Sequence, residues 1–376
     1  MIQNPIYILT FLCGLIFVSE WLTKNTILKH ISGPLLVIIL GAIFANSGLI
    51  PSASNASPVY DSVFKYVAPA SIFYLLLGVN LKQLRKAGLP MLVAFVLGSA
   101  GTTLGVLLAL NLIDAPEVFG DNYKAIAGMM TGTYTGGSAN FNAVALHYDV
   151  IREGAVYTGV VVADNIVTAM WMLVTLSLPA LMMKFRPHPI LRVDGEDGIK
   201  GHEDHEKLSP LFLGLMLFIG IGAMFISDEL ASVTEIPSVL ILTTIALILA
   251  QLRAIQQIPG AKLLGMFSVY LFLVVVGAFC EVTALIDVGE HAFDILLFTV
   301  SIVLVHGVFI ILAALLLKSD WSIIAIASQA NIGGASTALA LAQSFKRKDL
   351  LLPAILAGSL GTGLGTYLGF LVTGLL

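Results

Sequence analysis

Twelve apolar stretches of near bilayer-spanning length follow one another along the 376 residues, and no other feature restricts the fold as strongly. Read with a window of about 19 residues, they fall near 5–23, 33–50, 62–80, 89–113, 124–148 and 154–183, then near 208–227, 236–252, 263–280, 292–317, 321–345 and 350–375. With 58% apolar residues, 11% charged residues and a mean hydropathy of +0.96, the chain carries more apolar surface than one core in water can hide. A lipid bilayer is therefore the expected surroundings, and an all-α polytopic membrane protein the expected fold class. The N-terminus runs straight into the apolar residues 6–18 with neither a basic leader nor a small-residue cleavage site, so the first helix is expected to be retained. No basic patch suited to nucleic acid is present. Cys13 and Cys280 both lie in apolar runs and read as small buried hydrophobes, without disulfide or metal-ligand spacing.

The polar tract 184–207 carries Pro187, Pro189 and mixed charge from Asp194 to Lys207. It divides the chain into a first membrane unit, 1–183, and a second, 208–376. The units match in order. Pro34 heads the second stretch as Pro237 heads the eighth, and the run from Phe73 to Gly78 answers that from Phe272 to Gly277. Best matched are the fifth and eleventh, where the small and polar residues after Gly136-Gly137 recur in register after Gly333-Gly334. Three matches in one order point to a duplication, and internal repeats in a membrane protein point to a transporter.

Loop charge sets the expected orientation, because Lys and Arg collect on the cytoplasmic side. Lys24, Lys29, Lys82, Arg85 and Lys86 mark internal loops in the first unit, while Asp114, Glu117 and Asp121 mark an external one. In the second unit Arg253, Lys262, Lys318, Lys346, Arg347 and Lys348 read as internal, and Asp228, Glu229, Glu281, Asp287 and Glu290 as external. Twelve simple crossings cannot satisfy this pattern. If the fifth and eleventh stretches each enter and leave on one side, every strongly basic loop becomes cytoplasmic, including the connector with Lys184, Arg186 and Arg192. Both termini then lie outside. The units become inverted repeats, with about ten transmembrane helices plus two glycine-kinked segments. The paired glycines near the middle of those stretches permit such a bend; a broken helix that crosses fully is the competing geometry.

Polar side chains gather around the two bends. Thr131, Thr133, Tyr134, Thr135, Ser138, Asn140 and Asn142 surround the first, and Ser328, Gln329, Asn331, Ser336 and Thr337 the second. Such hydroxyls and amides can ligate Na⁺ or hydrogen-bond a solute, with arm N-termini favouring anionic groups and unwound carbonyls favouring cations. The plainer alternative is that they only permit close helix packing. Asp164, beside Asn165, puts a carboxylate in mid-span, at a cost of about 2.5–3.5 kcal/mol on insertion scales. It reads either as a cation or proton site or as a hydrogen-bonded acid that pins the first bend to its neighbour. The corresponding stretch of the second unit offers only the neutral oxygens of Ser359 and Thr362. His306 can relay protons or simply bond a carbonyl, and the second reading is preferred. His202 and His205 sit in the charged connector and read as a solvated tract rather than a metal site. Trp21, Trp171 and Trp321 are expected to anchor helix ends at the interface.

The segment from Gly132 to Val144, the pair Asp164-Asn165 and the near full-length layout resemble the uncharacterised YjcL-type membrane family, a domain of unknown function. That resemblance implies a place in the cation/proton antiporter and anion transporter superfamily, whose relatives include sodium-coupled citrate, glutamate and bile acid carriers. The glycine pairs are similar to those at broken segments of the citrate and glutamate carriers, and Asp164-Asn165 is similar to the paired acids or amide and acid of antiporters. Here the acid comes first, and the glycine motif lacks the proline found in bile acid carriers. Carriers of this sort often form homodimers.

Together these readings describe an inner (plasma) membrane secondary transporter, with Na⁺ or H⁺ as coupling ion and no other cofactor. A small organic anion, amino acid or peptide-like solute would move by alternating access of the elevator type. The expected solute site comprises Tyr134, Thr135, Gly136, Gly137, Ser138, Asn140, Asn142, Gln329, Asn331, Gly333 and Gly334; the expected cation site comprises Asp164, Asn165, Ser336, Thr337, Ser359 and Thr362. A channel is the first alternative. An intramembrane enzyme is the second, but Asp164 has no evident acidic partner and Ser138 with His147 lacks a triad context. No Walker motif for nucleotide-driven transport is present.

Overall fold

The computed structural model describes residues 3–26, 33–79, 81, 86–185, 187, 209–234, 236–280, 289, 291–317 and 319–376, which are largely helical and contain no strand. In lipid every backbone donor and acceptor needs a partner within the protein, and a helix supplies these from its own chain. In order the helices are α1 (Pro5–Asn25), α2 (Gly33–Asn46), α3 (Pro58–Ser62), α4 (Ala68–Leu76), α5 (Leu89–Leu112), α6 (Ala115–Phe119), α7 (Tyr123–Gly136), α8 (Ser138–His147) and α9 (Gly154–Phe185). The second half contributes α10 (Pro210–Thr234), α11 (Ser238–Leu249), α12 (Arg253–Gln256), α13 (Ala261–Ala278), α14 (Ala292–Leu317), α15 (Trp321–Ile332), α16 (Gly334–Ser344) and α17 (Leu351–Leu375). Local chemistry sets several ends. Asn4, for example, caps α1 by accepting from the Ile6 and Tyr7 amides, with Pro5 at the first helical position.

Seven of the described helices are long and apolar enough to cross a bilayer: α1, α5, α9, α10, α13, α14 and α17. The second and eighth apolar stretches hold shorter helices than the sequence suggests. α2 has 14 residues and α11 has 12, about 21 and 18 Å at 1.5 Å per residue. α2 stops where Asn46 turns its side-chain amide onto the Cys280 carbonyl, 2.8 Å away, and Gly48 takes a φ of +74°. α11 starts only after Pro237, which has no amide hydrogen to continue a helix backwards. Most of the connector, its His202 and His205, and the loop residues Lys29, Lys82, Arg85, Arg186, Arg192, Glu281, Asp287, Glu290 and Lys318 lie outside the described residues.

The helices form two bundles. In one, α1, α2 and α4 pack on α13, while α10 and α11 pack on each other and on α4. Its tightest crossing is α2 on α13, where a Cβ on Gly41 would stand 2.4 Å from the Val274 carbonyl oxygen and one on Gly277 2.2 Å from that of Ile38. The other bundle holds α5, α7, α8, α9 and α14 to α17, with α5 lying along α14. The two meet where α9 touches α13, α8 touches α4 and α17 touches α11. At one end of this seam Arg152 bonds Asp61 at 2.8 Å and Asp149 at 3.1 Å and lies over the Phe64 ring. There Gly154 packs directly on the backbone of Phe279 and Cys280.

The glycine-paired stretches are hairpins. Gly128 lies against Val144 and Gly132 against Asn140, two pairs evenly placed about Gly136, so α8 returns along α7. In the second, Arg347 just beyond α16 pairs at 2.9 Å with Asp320, the N-cap of α15, so that hairpin leaves beside its point of entry. Left-handed glycines make the bends, with φ of +95° at Gly137 and +79° at Gly334. Arms of 10 to 14 residues reach roughly 15–21 Å, short of the ~30 Å hydrocarbon core.

α17 is the element both hairpins lean on. Its Gly361, Gly365 and Gly369 face Gly136, Gly132 and Gly128 of α7, while Gly358 faces Ala335 at the start of α16. Thr373 near its C-terminal end donates to the Lys124 carbonyl at the base of the first hairpin, and the second hairpin runs into its N-terminal end through Lys348–Leu350. The hairpins therefore approach from opposite ends of α17 and bring their tips together near its middle. Glycine at each contact is required because backbone meets backbone.

Two of the three tryptophans depart from expectation. Trp21 is exposed, but Trp171 and Trp321 are buried. Trp171 sits mid-way along the 32-residue α9, where its indole N–H has a buried acceptor in Ser328. Trp321 opens α15 inside the second bundle. Of the cysteines, Cys280 is buried and Cys13 is exposed on α1, on an apolar outer face of the bundle.

Candidate functional site

A cavity of about 630 Å³ lies at the seam between the bundles, beside the two hairpin bends. Its walls differ in chemistry. Pro34, Leu35 and Ile38 of α2, with Val269 and Leu273 of α13, make an apolar wall; the hairpins and α9 supply Thr133, Ser138, Asn142, Asp164, Asn165, Thr168, Gln329 and Thr337. Lining glycines Gly137 and Gly333 place the starts of α8 and α16 at the cavity surface.

Asp164 is the acid of this wall. Its carboxylate accepts from Thr168, one turn on, at 3.2 Å, and the buried Tyr134 hydroxyl stands beside both without a hydrogen bond of ordinary geometry. Asn165 bonds back to the Val161 carbonyl at 2.7 Å. Asn142 accepts from Tyr157 at 2.5 Å. Gln329 is fully buried; its Oε1 lies 3.0 Å from the Thr175 hydroxyl, whose one proton is shared with the Trp171 carbonyl at 2.9 Å, whereas its Nε2 has no protein partner.

Not every expected residue faces this space. Asn140 is turned onto α17, where its Oδ1 accepts from both the amide and the hydroxyl of Thr366. Asn331 bonds Ser99 and the Phe95 carbonyl of α5. Gly136 is spent on the Gly361 contact, and Thr362 donates to the Gly136 carbonyl at 3.2 Å, holding the tip rather than lining the cavity. Thr135 is buried with an unpartnered hydroxyl, and Ser336 and Ser359 lie off the lining. Consecutive residues of a helix point about 100° apart, so one polar run divides between packing and cavity. Tyr157, Thr168 and Thr175 were not singled out from the sequence, yet they share one stripe of α9 with Asp164 at spacings of seven, four and seven. That periodicity was available as a signal.

Behind the second hairpin a buried chain of hydrogen bonds links both hairpins. Trp171 donates to Ser328 at 2.9 Å, Ser328 meets His306 Nε2 at 2.8 Å, and His306 Nδ1 lies 2.9 Å from the Gly98 carbonyl and 3.0 Å from Thr102, which donates to the Tyr134 carbonyl. Indole can only donate and a carbonyl only accept, which fixes His306 as the Nδ1–H tautomer with Nε2 accepting from Ser328. The carbonyl-bonding reading of this histidine thus matches its geometry. Ser328→Ala leaves the buried indole N–H and imidazole Nε2 without partners, and at about 1–3 kcal/mol per orphaned group we expect a melting temperature several degrees below wild type in detergent. An unchanged melting curve would remove the network from the account of stability.

Among the described residues no cluster of three or more His, Cys, Asp or Glu side chains is arranged to hold a metal ion. Ser138 and His147 stand at opposite ends of α8.

An all-helical chain with two half-length hairpins meeting inside a set of long apolar helices is a multi-pass membrane protein of the kind that places irregular backbone only where protein or a cavity covers it. Residues 7–376 match the family described as "Protein of unknown function (DUF819)", and the chain belongs to that family. It is also 30% identical to a curated relative, "Uncharacterized membrane protein YjcL" of Bacillus subtilis (strain 168), over 94% of this chain and 93% of that protein.

Proposed function

We propose that this chain is a secondary active transporter that couples Na⁺ or H⁺ to movement of a small solute by alternating access. The observation that carries the reading is the position of Asp164, a carboxylate deep along a spanning helix that faces a cavity where two half-length hairpins meet. A charge placed so deep is costly and marks ion pathways by default. Asp164, Asn165 and Thr337 form the cation subsite in this reading; Gln329, Asn142, Ser138 and the helix starts at Gly137 and Gly333 form the solute subsite.

The two walls of the cavity come from different bundles, so sliding the hairpin bundle along α2 and α13 would carry the polar wall from one face of the membrane to the other. The approach of the hairpins from opposite ends of α17 agrees with descent from inverted repeats, a cytoplasmic connector and external termini. It also agrees with a place in the cation/proton antiporter and anion transporter superfamily. The test is counterflow in proteoliposomes. Saturable exchange of labelled for unlabelled solute, with net accumulation under an imposed Na⁺ or H⁺ gradient, is expected; unsaturable flux that never opposes the solute gradient would indicate a channel.

A further inference from the structure

We propose that the solute is a monocarboxylate with an apolar body, and that its carboxylate is held by the side-chain amide of Gln329 and the first turn of α16. The proposal rests on the carrier reading of the same cavity and narrows its solute to one chemical class.

Gln329 lines the cavity, is fully buried and has an Nε2 without a protein partner, although its Oε1 is engaged by Thr175. A buried N–H donor left empty is unfavourable, and an acceptor brought by a ligand relieves it. Close by, the 11-residue α16 begins at the cavity wall with Gly333 as N-cap and no side-chain cap for its first N–H groups. Uncapped amides and the positive end of the helix dipole suit one negative group.

The charge of the lining limits how many such groups enter. It holds the Asp164 carboxylate and no Lys, Arg or His, so a second or third carboxylate on the solute would meet no cation of the protein. One carboxylate needs none, because neutral amides can hold it. It is also kept away from Asp164. Thr168, bonded to Asp164, and Thr175, bonded to Gln329, are seven residues apart on α9, about 10 Å along the axis. The remainder of the solute faces the apolar wall of Ile38, Val269 and Leu273, which fits a branched or aromatic body.

The purified full-length protein, titrated in detergent with isovalerate and phenylacetate, their primary amides, and the dicarboxylate glutarate, provides the test by thermal shift. Both monocarboxylates are expected to stabilise the protein, the amides not at all, and glutarate with at least tenfold weaker apparent affinity. Gln329→Glu keeps the side-chain length and an oxygen for Thr175 and should abolish the response to monocarboxylates. Equal stabilisation by acids and amides, no response to either acid, or an unchanged response in Gln329→Glu would each overturn the proposal; the wild-type series decides it even if the variant does not fold. Uptake of labelled isovalerate into proteoliposomes is read separately. Binding without uptake supports the subsite and counts against the carrier, whereas carriage of a solute lacking a carboxylate, with no binding of the acids, overturns the subsite alone.

Discussion

Asp164→Asn is expected to abolish gradient-driven uptake while leaving a folded, monodisperse protein. The substitution is nearly isosteric, and the asparagine carbonyl can still accept from Thr168, which lies 3.2 Å from the carboxylate. What disappears is the ionisable group. A lone acid at this depth is a burden to the fold, so its neutral replacement should melt at or above the wild-type temperature. In the proposed mechanism, by contrast, coupled transport depends on an ion or proton occupying this position on one side and leaving it on the other. We expect the initial rate of accumulation to fall at least about a hundredfold, equivalent to about 2.7 kcal/mol or more. Purified Asp164→Asn that still concentrates solute against its gradient would remove this residue from the mechanism and leave it a structural acid.

A valine at Gly136 should have the largest effect on the fold. A Cβ there would lie 1.9 Å from the Gly361 carbonyl carbon and 2.0 Å from its oxygen, and both are backbone atoms that no rotamer change can move. The first hairpin would have to lift off α17. Overpacking typically costs about 1–3 kcal/mol even where side chains can adjust, so Gly136→Val should exceed that range and yield little monodisperse protein. Gly137→Ala is the control, because no atom lies within 4 Å of its missing Cβ and only its backbone conformation, φ +95° with ψ 178°, is penalised, at about 1–3 kcal/mol. Gly136→Val purified with a wild-type melting temperature would show that the hairpin does not press on α17 as described.

Much of this was legible in the sequence because the bilayer allows few solutions. Long apolar runs had to be helices, and paired glycines in mid-run had to be bends or close contacts. An acid in the middle of such a run had to face the interior. The residues that misled are those whose neighbours point elsewhere. Asn140 and Asn142 are two positions apart, and one bonds α17 while the other lines the cavity. Gln329 and Asn331 divide in the same manner. The division depends on how each hairpin is rotated against α17 and α5, which is set by glycine contacts far away in sequence. Trp171 was misplaced for a similar reason, since its buried acceptor, Ser328, comes from the other half of the chain. The short α2 was hidden by the apolar residues of its continuation, which read as membrane span but form a turn at Gly48.

The two half-length hairpins meet on α17 from its opposite ends, and in the proposed carrier they enter from opposite faces of the membrane. Single cysteines at Arg152, just past the first hairpin, and Lys348, just past the second, report on these faces when placed in a background with Cys13 and Cys280 replaced. A membrane-impermeant maleimide added to intact cells should label the cysteine at 152 and reach the one at 348 only after permeabilisation. Labelling of both positions from the same face would rule out opposed hairpins.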